Sequence, residues 1–373
     1  MDVFTFVFFV IGIGALVVGA EALVKGAARL AARTGLSPIV IGLTVVAFGT
    51  SAPELAVSMG AAIRDEADLA IGNVVGSNIA NVLLVLGISA AVGGGLVVAQ
   101  RIVRIDVPIM VALSVLVFVL GLDNELGRIE GIVFVLILIS YITWTVRASR
   151  RHPELIADDD YDEYDADHLA DSSPWREFGY LVAGLVLLVI GSTSLVEAAT
   201  DIAEALGVSE LVIGLTVVAI GTSLPEVATS VVAAAGGQRD LAVGNAVGSN
   251  MFNILAVLGL TATFSPSALP IPDSALRLDL PVMIAVAIAC LPIFAYDFSL
   301  RRWEGVLFLA YYGAYLAWLA LDASDSSLAD PFAVAVVGFM LPLGVLTIAI
   351  IAWRNWRAAP VPLDQTMGVG GEP

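Results

Sequence analysis

The sequence predicts an all-α polytopic membrane protein built from two inverted five-helix repeats plus one extra C-terminal helix. Three observations carry this. The chain of 373 residues is 59% hydrophobic and 14% charged, with a mean hydropathy of +0.94, more apolar surface than a soluble domain of that length buries. Its apolar segments are long enough to cross a hydrocarbon core roughly 30 Å thick, which takes about 20 helical residues. A motif also recurs: the 14 residues 41–54, IGLTVVAFGTSAPE, return as 213–226, IGLTVVAIGTSLPE, with only Phe48/Ile220 and Ala52/Leu224 differing.

The spans follow in order as 3–31, 37–63, 69–98, 103–122, 129–148, 177–204, 208–235, 241–264, 279–297, 303–321 and 331–353. The first has no basic residue before it and continues into further apolar turns, so it reads as a transmembrane helix and not as a cleaved signal peptide. The chain thus divides into a first membrane repeat (1–148), an acidic linker (149–176), a second membrane repeat (177–323), an additional helix (324–353) and a tail (354–373). Much of the net charge of −18 lies in the linker, in Asp158, Asp159, Asp160, Asp162, Glu163, Asp165 and Asp167. The glycine and spaced glutamate of an EF-hand loop are missing there, so the run reads as a solvated linker. Acidic excess in solvent-facing loops also suits a high-salt environment and a halophilic prokaryote.

Basic residues set the expected orientation. With the N-terminus outside, Lys25, Arg29, Arg33, Arg101, Arg104, Arg147, Arg150, Arg151, Arg176, Arg239, Arg301, Arg302, Arg354 and Arg357 fall on the cytoplasmic side, leaving Arg64, Arg128 and Arg277 outside. The linker and the C-terminus are then cytoplasmic in a cell-membrane protein. Five spans per repeat is an odd number, so the second copy enters the membrane upside down, and the two motif copies meet at the midplane.

Each copy places a proline and a glutamate inside an apolar segment. A carboxylate at membrane depth costs roughly 3 kcal/mol or more, which makes it a functional-site candidate. Pro53 lacks an N–H and its ring presses on the Gly49 carbonyl, so the stretch Gly49–Glu54 should break the helical ladder and free carbonyls near Ala47 and Thr50. Na⁺ and Ca²⁺ take oxygen ligands. The segment supplies carbonyls, the hydroxyls of Thr50 and Ser51, and the carboxylate of Glu54; its copy supplies Ala219, Thr222, Ser223 and Glu226. The following helices carry GNxxGSNxxN twice. Asn73, Ser77 and Asn81 share one face, as do Asn245, Ser249 and Asn253, beside the small-residue pairs Gly72/Gly76 and Gly244/Gly248. Asn78 and Asn250 lie off that face and read as bridges to neighbouring helices.

Weaker candidates are set aside on physical grounds. Glu21 and Glu197 lack acidic repeat partners and read as helix-end charges. Cys290, the single cysteine, lies in an apolar run, and His152 and His168 lie in the linker. This argues against a zinc or copper site and against a nucleophile–base pair, so no enzyme is expected, and no cofactor.

At these motifs the sequence resembles the cation/calcium exchanger superfamily, in particular its Na⁺/Ca²⁺ exchanger branch, over roughly residues 1–323. GTSAPE with GNVVGSNIAN, and GTSLPE with GNAVGSNMFN, look like that family's paired α-repeats. The resemblance implies a ten-helix core and electrogenic exchange of several Na⁺ for one Ca²⁺. It implies a central Ca²⁺ site at Glu54 and Glu226 with the carbonyls of Thr50 and Thr222. One flanking Na⁺ site would use Ala47, Thr50, Ser77, Ser223 and Glu54, and the other Ala219, Thr222, Ser249, Ser51 and Glu226. Many relatives carry an aspartate where this chain has Asn253, opposite Asn81. Two amides there leave a formal charge of −2, matching one Ca²⁺, and argue against K⁺ co-transport.

The expected function is therefore alternating-access antiport of Na⁺ and Ca²⁺, with the bilayer as solvent, no nucleic acid and no obligate protein partner. H⁺/Ca²⁺ antiport, or antiport of another divalent cation, is the first rival. A cation channel is a more distant one, since interrupted helices also build filters.

Overall fold

The computed structural model describes residues 3–151, 174–206 and 219–323, together with 328, 331 and 334. Residues 152–173 of the expected linker 149–176, the first part of the seventh expected span and most of the eleventh lie outside the described residues, while 149–151 and 174–176 are helical ends and not linker. The chain forms α1 (Val3–Thr34), α2 (Pro38–Thr50), α3 (Ala52–Ile63), α4 (Ala67–Val92), α5 (Ile102–Asp123) and α6 (Arg128–Arg151). It continues as α7 (Pro174–Ala205), α8 (Ala219–Thr222), α9 (Leu224–Ala235), α10 (Arg239–Phe264), α11 (Ala275–Ala295) and α12 (Arg302–Ala323). Among the described residues eight of these helices are long and apolar enough to cross a membrane, and the bent pair α2/α3 makes a ninth span. This is a multi-pass membrane protein.

Among the described residues the fold is helical except for two short ribbons at the helix ends, which the all-α expectation did not include. Leu96–Val97 (β1) pairs antiparallel with Ser299–Leu300 (β4), and Glu125–Leu126 (β2) with Leu269–Pro270 (β3). Each ribbon joins a loop of the first half to a loop of the second, satisfying backbone groups that the helix ends leave open. The third span also ends earlier than its apolar run. The helix stops at Val92 and not at 98 because Gly93-Gly94-Gly95 follows, with φ of +72° at Gly94 and +106° at Gly95. That left-handed backbone suits glycine.

Two layers are evident. α1 and α7 pack along their length through glycines. A Cβ on Gly184 would lie 2.6 Å from the Leu23 backbone N, and one on Gly191 2.8 Å from that of Leu16. An Arg33–Glu177 ion pair of 2.9 Å closes one end of the pair, and a Thr5–Asp201 hydrogen bond of 3.3 Å the other. The second layer is the core. Residues 241–259 of α10 are all buried, wrapped by α2, α4, α5 and α9. Gly248 lets α2 approach: a Cβ there would sit 2.8 Å from Leu43 Cα and 2.9 Å from Ala47 Cβ. Gly72 and Gly76 show no such approach among the described residues. Their equivalent neighbours would be residues near 211–219, mostly outside that set.

A repeated pattern that sequence reasoning passed over anchors α5 and α11. Asp106-Val107-Pro108-Ile109-Met110 returns as Asp279-Leu280-Pro281-Val282-Met283. Tyr141 donates to Asp106 at 2.9 Å, and Tyr315 to Asp279 at 3.2 Å. The methionines reach the other half: Asn250 Nδ2 donates to Met110 Sδ at 3.2 Å and Asn78 Nδ2 to Met283 Sδ at 3.5 Å. Asn78 and Asn250 therefore bridge helices, as their position off the polar face implied. Arg101 also pairs with the buried Asp106 at 3.4 Å. Replacing Tyr141 by Phe removes the hydroxyl donor from a buried carboxylate, and the loss of about 1–3 kcal/mol is expected as a lower thermal-unfolding midpoint in detergent. An unchanged midpoint would mean that this bond does not anchor α5 to α6.

Candidate ion-binding site

The site forms where α2/α3, α4, α8/α9 and α10 cross. Its local shape follows from Pro53 and Pro225, each placed just inside the start of a helix, where the missing N–H costs least. The ladder breaks two residues before each proline, at Ser51 (φ −81°, ψ 4°) and Ser223 (φ −87°, ψ 3°). α2 and α3 meet there at 43°. The break falls inside the expected stretch 49–54 and its copy, at the serines, and it leaves the Ala47 carbonyl bonded: Ser51 N–H donates to it at 3.0 Å. The expectation of a freed Ala47 carbonyl is corrected to one that keeps a second lone pair available.

α4 and α10 are also irregular at the site. Each widens by a π-type turn, over Asn81–Val85 and over Asn253–Leu258. Such bulges recur at functional positions, and here they begin at the paired asparagines. No residue-level signal in the sequence announced them.

The structure brings the two motif copies together. Glu54 and Glu226 are fully buried and close enough to interact electrostatically. Ser77 and Ser223 lie beside Glu54 without a hydrogen bond of ordinary geometry. Thr50, Ser51 and Ser249 lie beside Glu226, with Ser51 Oγ 3.4 Å from its Oε1. Each carboxylate thus faces hydroxyls from both halves. Thr50 Oγ1 is 3.3 Å from Ser249 Oγ. Asn81 and Asn253 are fully buried, and neither polar atom of either amide has a hydrogen-bond partner. The same holds for both oxygens of Glu54 and for Oε2 of Glu226. Ala47 is buried on α2, and Ala219 opens α8, where only its backbone is described.

Buried polar groups are ordinarily paired. Unpaired carboxylate oxygens with hydroxyls beside them fit a hard cation, which takes several oxygen ligands. The chemistry available is reversible cation binding. Two further residues belong to the surroundings, Ser58 and Ser230, each four positions after its glutamate and fully buried. Their signal was present, because the spacing from glutamate to serine repeats in both copies.

Comparison with known proteins gives a consistent picture. The model of the family described as sodium/calcium exchanger protein matches residues 4–147 and 176–321. The protein CaxA of Alkalimonas amylolytica is 39% identical over 289 residues, covering 76% of this chain and 88% of its own. The sodium/calcium exchanger MaX1 of Methanosarcina acetivorans is 36% identical over 323 residues, covering 78% of this chain and 91% of its own. Among solved structures, the sodium-calcium exchanger NCX_Mj superposes with a TM-score of 0.72 at 31% identity, covering 86% of this chain and 100% of its own.

Proposed function

The chain belongs to the sodium/calcium exchanger protein family, and from that premise we propose that it is an antiporter exchanging Na⁺ for Ca²⁺ by alternating access. The observation that carries this reading is the pair of fully buried glutamates, Glu54 and Glu226, with oxygens left unpaired in an apolar protein. Two carboxylates and two neutral amides give a formal charge of −2, which one Ca²⁺ neutralises.

In this reading Ca²⁺ binds at Glu54 and Glu226 with the carbonyls of Thr50 and Thr222. Na⁺ binds on either side, at Ala47, Thr50, Ser77, Ser223 and Glu54, and at Ala219, Thr222, Ser249, Ser51 and Glu226. Asn81 and Asn253 line the centre. The ions share ligands, so they compete, and that competition couples the fluxes. An occupied site loses its charge penalty and lets α1 and α7 move as one body past the core. An empty site keeps two unpaired carboxylates, which opposes the switch and prevents leak. The zipped glycine contacts of α1 and α7 support that unit.

The architecture belonging to this reading is two inverted five-helix repeats, the first spanning 1–148 and the second 177–323, with a cytoplasmic linker and an additional helix. Support comes from equivalent contacts in both halves: Asp106–Tyr141 with Asp279–Tyr315, and Asn250–Met110 with Asn78–Met283. The distribution of arginines supports an outside N-terminus in the cell membrane. At three Na⁺ per Ca²⁺ one net charge crosses per cycle, worth about 2.3 kcal/mol per 100 mV, which favours Ca²⁺ efflux at a negative interior potential.

The test is ⁴⁵Ca²⁺ uptake into Na⁺-loaded proteoliposomes diluted into Na⁺-free buffer at clamped pH. Uptake only with the outward Na⁺ gradient, enhanced by an inside-positive potential, is expected. Uptake that ignores Na⁺ and follows an imposed pH gradient would replace Na⁺ by H⁺ as the coupling ion. Unitary currents would replace a carrier by a channel.

A further inference from the structure

Two asparagines outside the ligand set sit at equivalent places behind it. Asn245 Nδ2 donates to Ser230 Oγ at 2.9 Å and to the Glu226 carbonyl at 3.4 Å. Asn73 Nδ2 donates to Ser58 Oγ at 2.9 Å and to the Glu54 carbonyl at 3.1 Å. Each serine passes its own proton to a backbone carbonyl, Ser230 to Ala242 at 3.2 Å and Ser58 to Ala70 at 3.5 Å. These bonds fix the amide orientation, because a flipped amide would set its oxygen against the glutamate carbonyl.

The amide oxygens therefore point across to the other half. Thr50 Oγ1 donates to Asn245 Oδ1 at 3.2 Å, and Thr222 Oγ1 donates to Asn73 Oδ1 at 3.3 Å. A hydroxyl has one proton. For Thr50 the competing carbonyl is that of Ala47, 3.4 Å away. The Ala47 carbonyl already accepts from Ser51 N–H, so a proton given to Asn245 leaves its second lone pair and the Thr50 lone pairs to face a cation. A proton given to Ala47 occupies one ligand with the hydrogen of another.

We propose that Asn245 and Asn73 are positioning residues that draw the Thr50 and Thr222 protons away from the site and so tune it for Na⁺. The control is crossed, with Asn245 serving the Na⁺ position at Ala47 and Thr50, and Asn73 the one at Thr222. Ca²⁺ depends less on it, because it uses the threonine carbonyls and the carboxylates. This inference rests on the Na⁺/Ca²⁺ ligand assignment above.

The experiment measures ⁴⁵Ca²⁺ binding to purified full-length protein and the Na⁺ concentration that displaces half of it. For Asn245→Ala the half-displacing Na⁺ concentration rises by about tenfold or more, the range usual for groups that orient metal ligands, while the Ca²⁺ dissociation constant moves by less than about threefold. Ser230→Ala, which only loosens the amide, shifts Na⁺ in the same direction by less. It carries the test if Asn245→Ala does not fold. Parallel weakening of both ions with a lowered melting temperature, or unchanged Na⁺ displacement, would overturn the positioning role. Failure of Na⁺ to displace Ca²⁺ from the unsubstituted protein would instead overturn the ligand assignment, and this inference with it.

Discussion

Glu54→Gln and Glu226→Gln are each expected to abolish Ca²⁺ exchange while leaving the fold intact. Glutamine keeps the volume and one oxygen, so the packing around α3 and α9 is preserved. What changes is charge: the site falls from −2 to −1 against a divalent cation. Two unit charges about 4 Å apart interact by about 4 kcal/mol at an effective dielectric near 20. Losing even most of one such interaction lowers Ca²⁺ affinity by roughly 100-fold or more, since 1.4 kcal/mol is a factor of ten. Stability moves the other way. Both carboxylates are fully buried with oxygens lacking partners. Removing a buried charge without a partner relieves a desolvation cost. The expected result is therefore a silent transporter whose melting temperature in Ca²⁺-free buffer is equal to or above that of the unsubstituted protein. Retained ⁴⁵Ca²⁺ flux in either folded variant would remove that carboxylate from the site.

Gly248→Leu has the second largest expected effect, and for a different reason. Gly248 touches α2 at Leu43 Cα and Ala47 Cβ, where an added Cβ would lie at 2.8 and 2.9 Å. Both neighbours are close to backbone and cannot swing aside. A leucine there pushes α2 off α10, and overpacking of this kind costs about 1–3 kcal/mol. The functional loss is larger than the stability loss, because the displaced stretch carries Ala47 and Thr50, and Thr50 meets Asn245 and Ser249 on α10. Cation affinity is expected to fall by about 10–100-fold, as when groups that orient ligands are disturbed. Gly14→Leu is the matched control, since a Cβ at Gly14 meets nothing within 4 Å. Flux and affinity should be unchanged there. Equal damage from the two variants would show that leucine bulk in a membrane helix, and not the approach of α2 to α10, is what matters.

The motif residues were legible because they came in duplicate. Pro53 with Glu54, and Pro225 with Glu226, violate the apolar pattern of their segments in the same way twice, and repetition separates an ion site from an isolated polar residue. Among the described residues the helix positions followed from hydropathy, since backbone groups in lipid must be paired internally. What was not legible depends on tertiary geometry. The π-type turns at Asn81 and Asn253 need a specific packing against neighbouring helices, which local composition does not encode. The exact residue of the helix break within the expected stretch, Ser51 and its copy Ser223, depends on which carbonyl finds a donor. The ribbons β1/β4 and β2/β3 join residues more than a hundred positions apart. The pattern of Asp106 and Met110 with Asp279 and Met283 was visible in principle, but its repeat is only five residues long and offset from the main motif by one position.

In the proposed mechanism the two halves build one cation site that Ca²⁺ and Na⁺ cannot occupy fully together. Equilibrium ⁴⁵Ca²⁺ binding to the purified protein at fixed pH, titrated with Na⁺ against a choline control, tests it most directly. One Ca²⁺ per chain is expected, displaced completely by Na⁺ with a Hill coefficient above one. Ca²⁺ binding that Na⁺ leaves unchanged would contradict it.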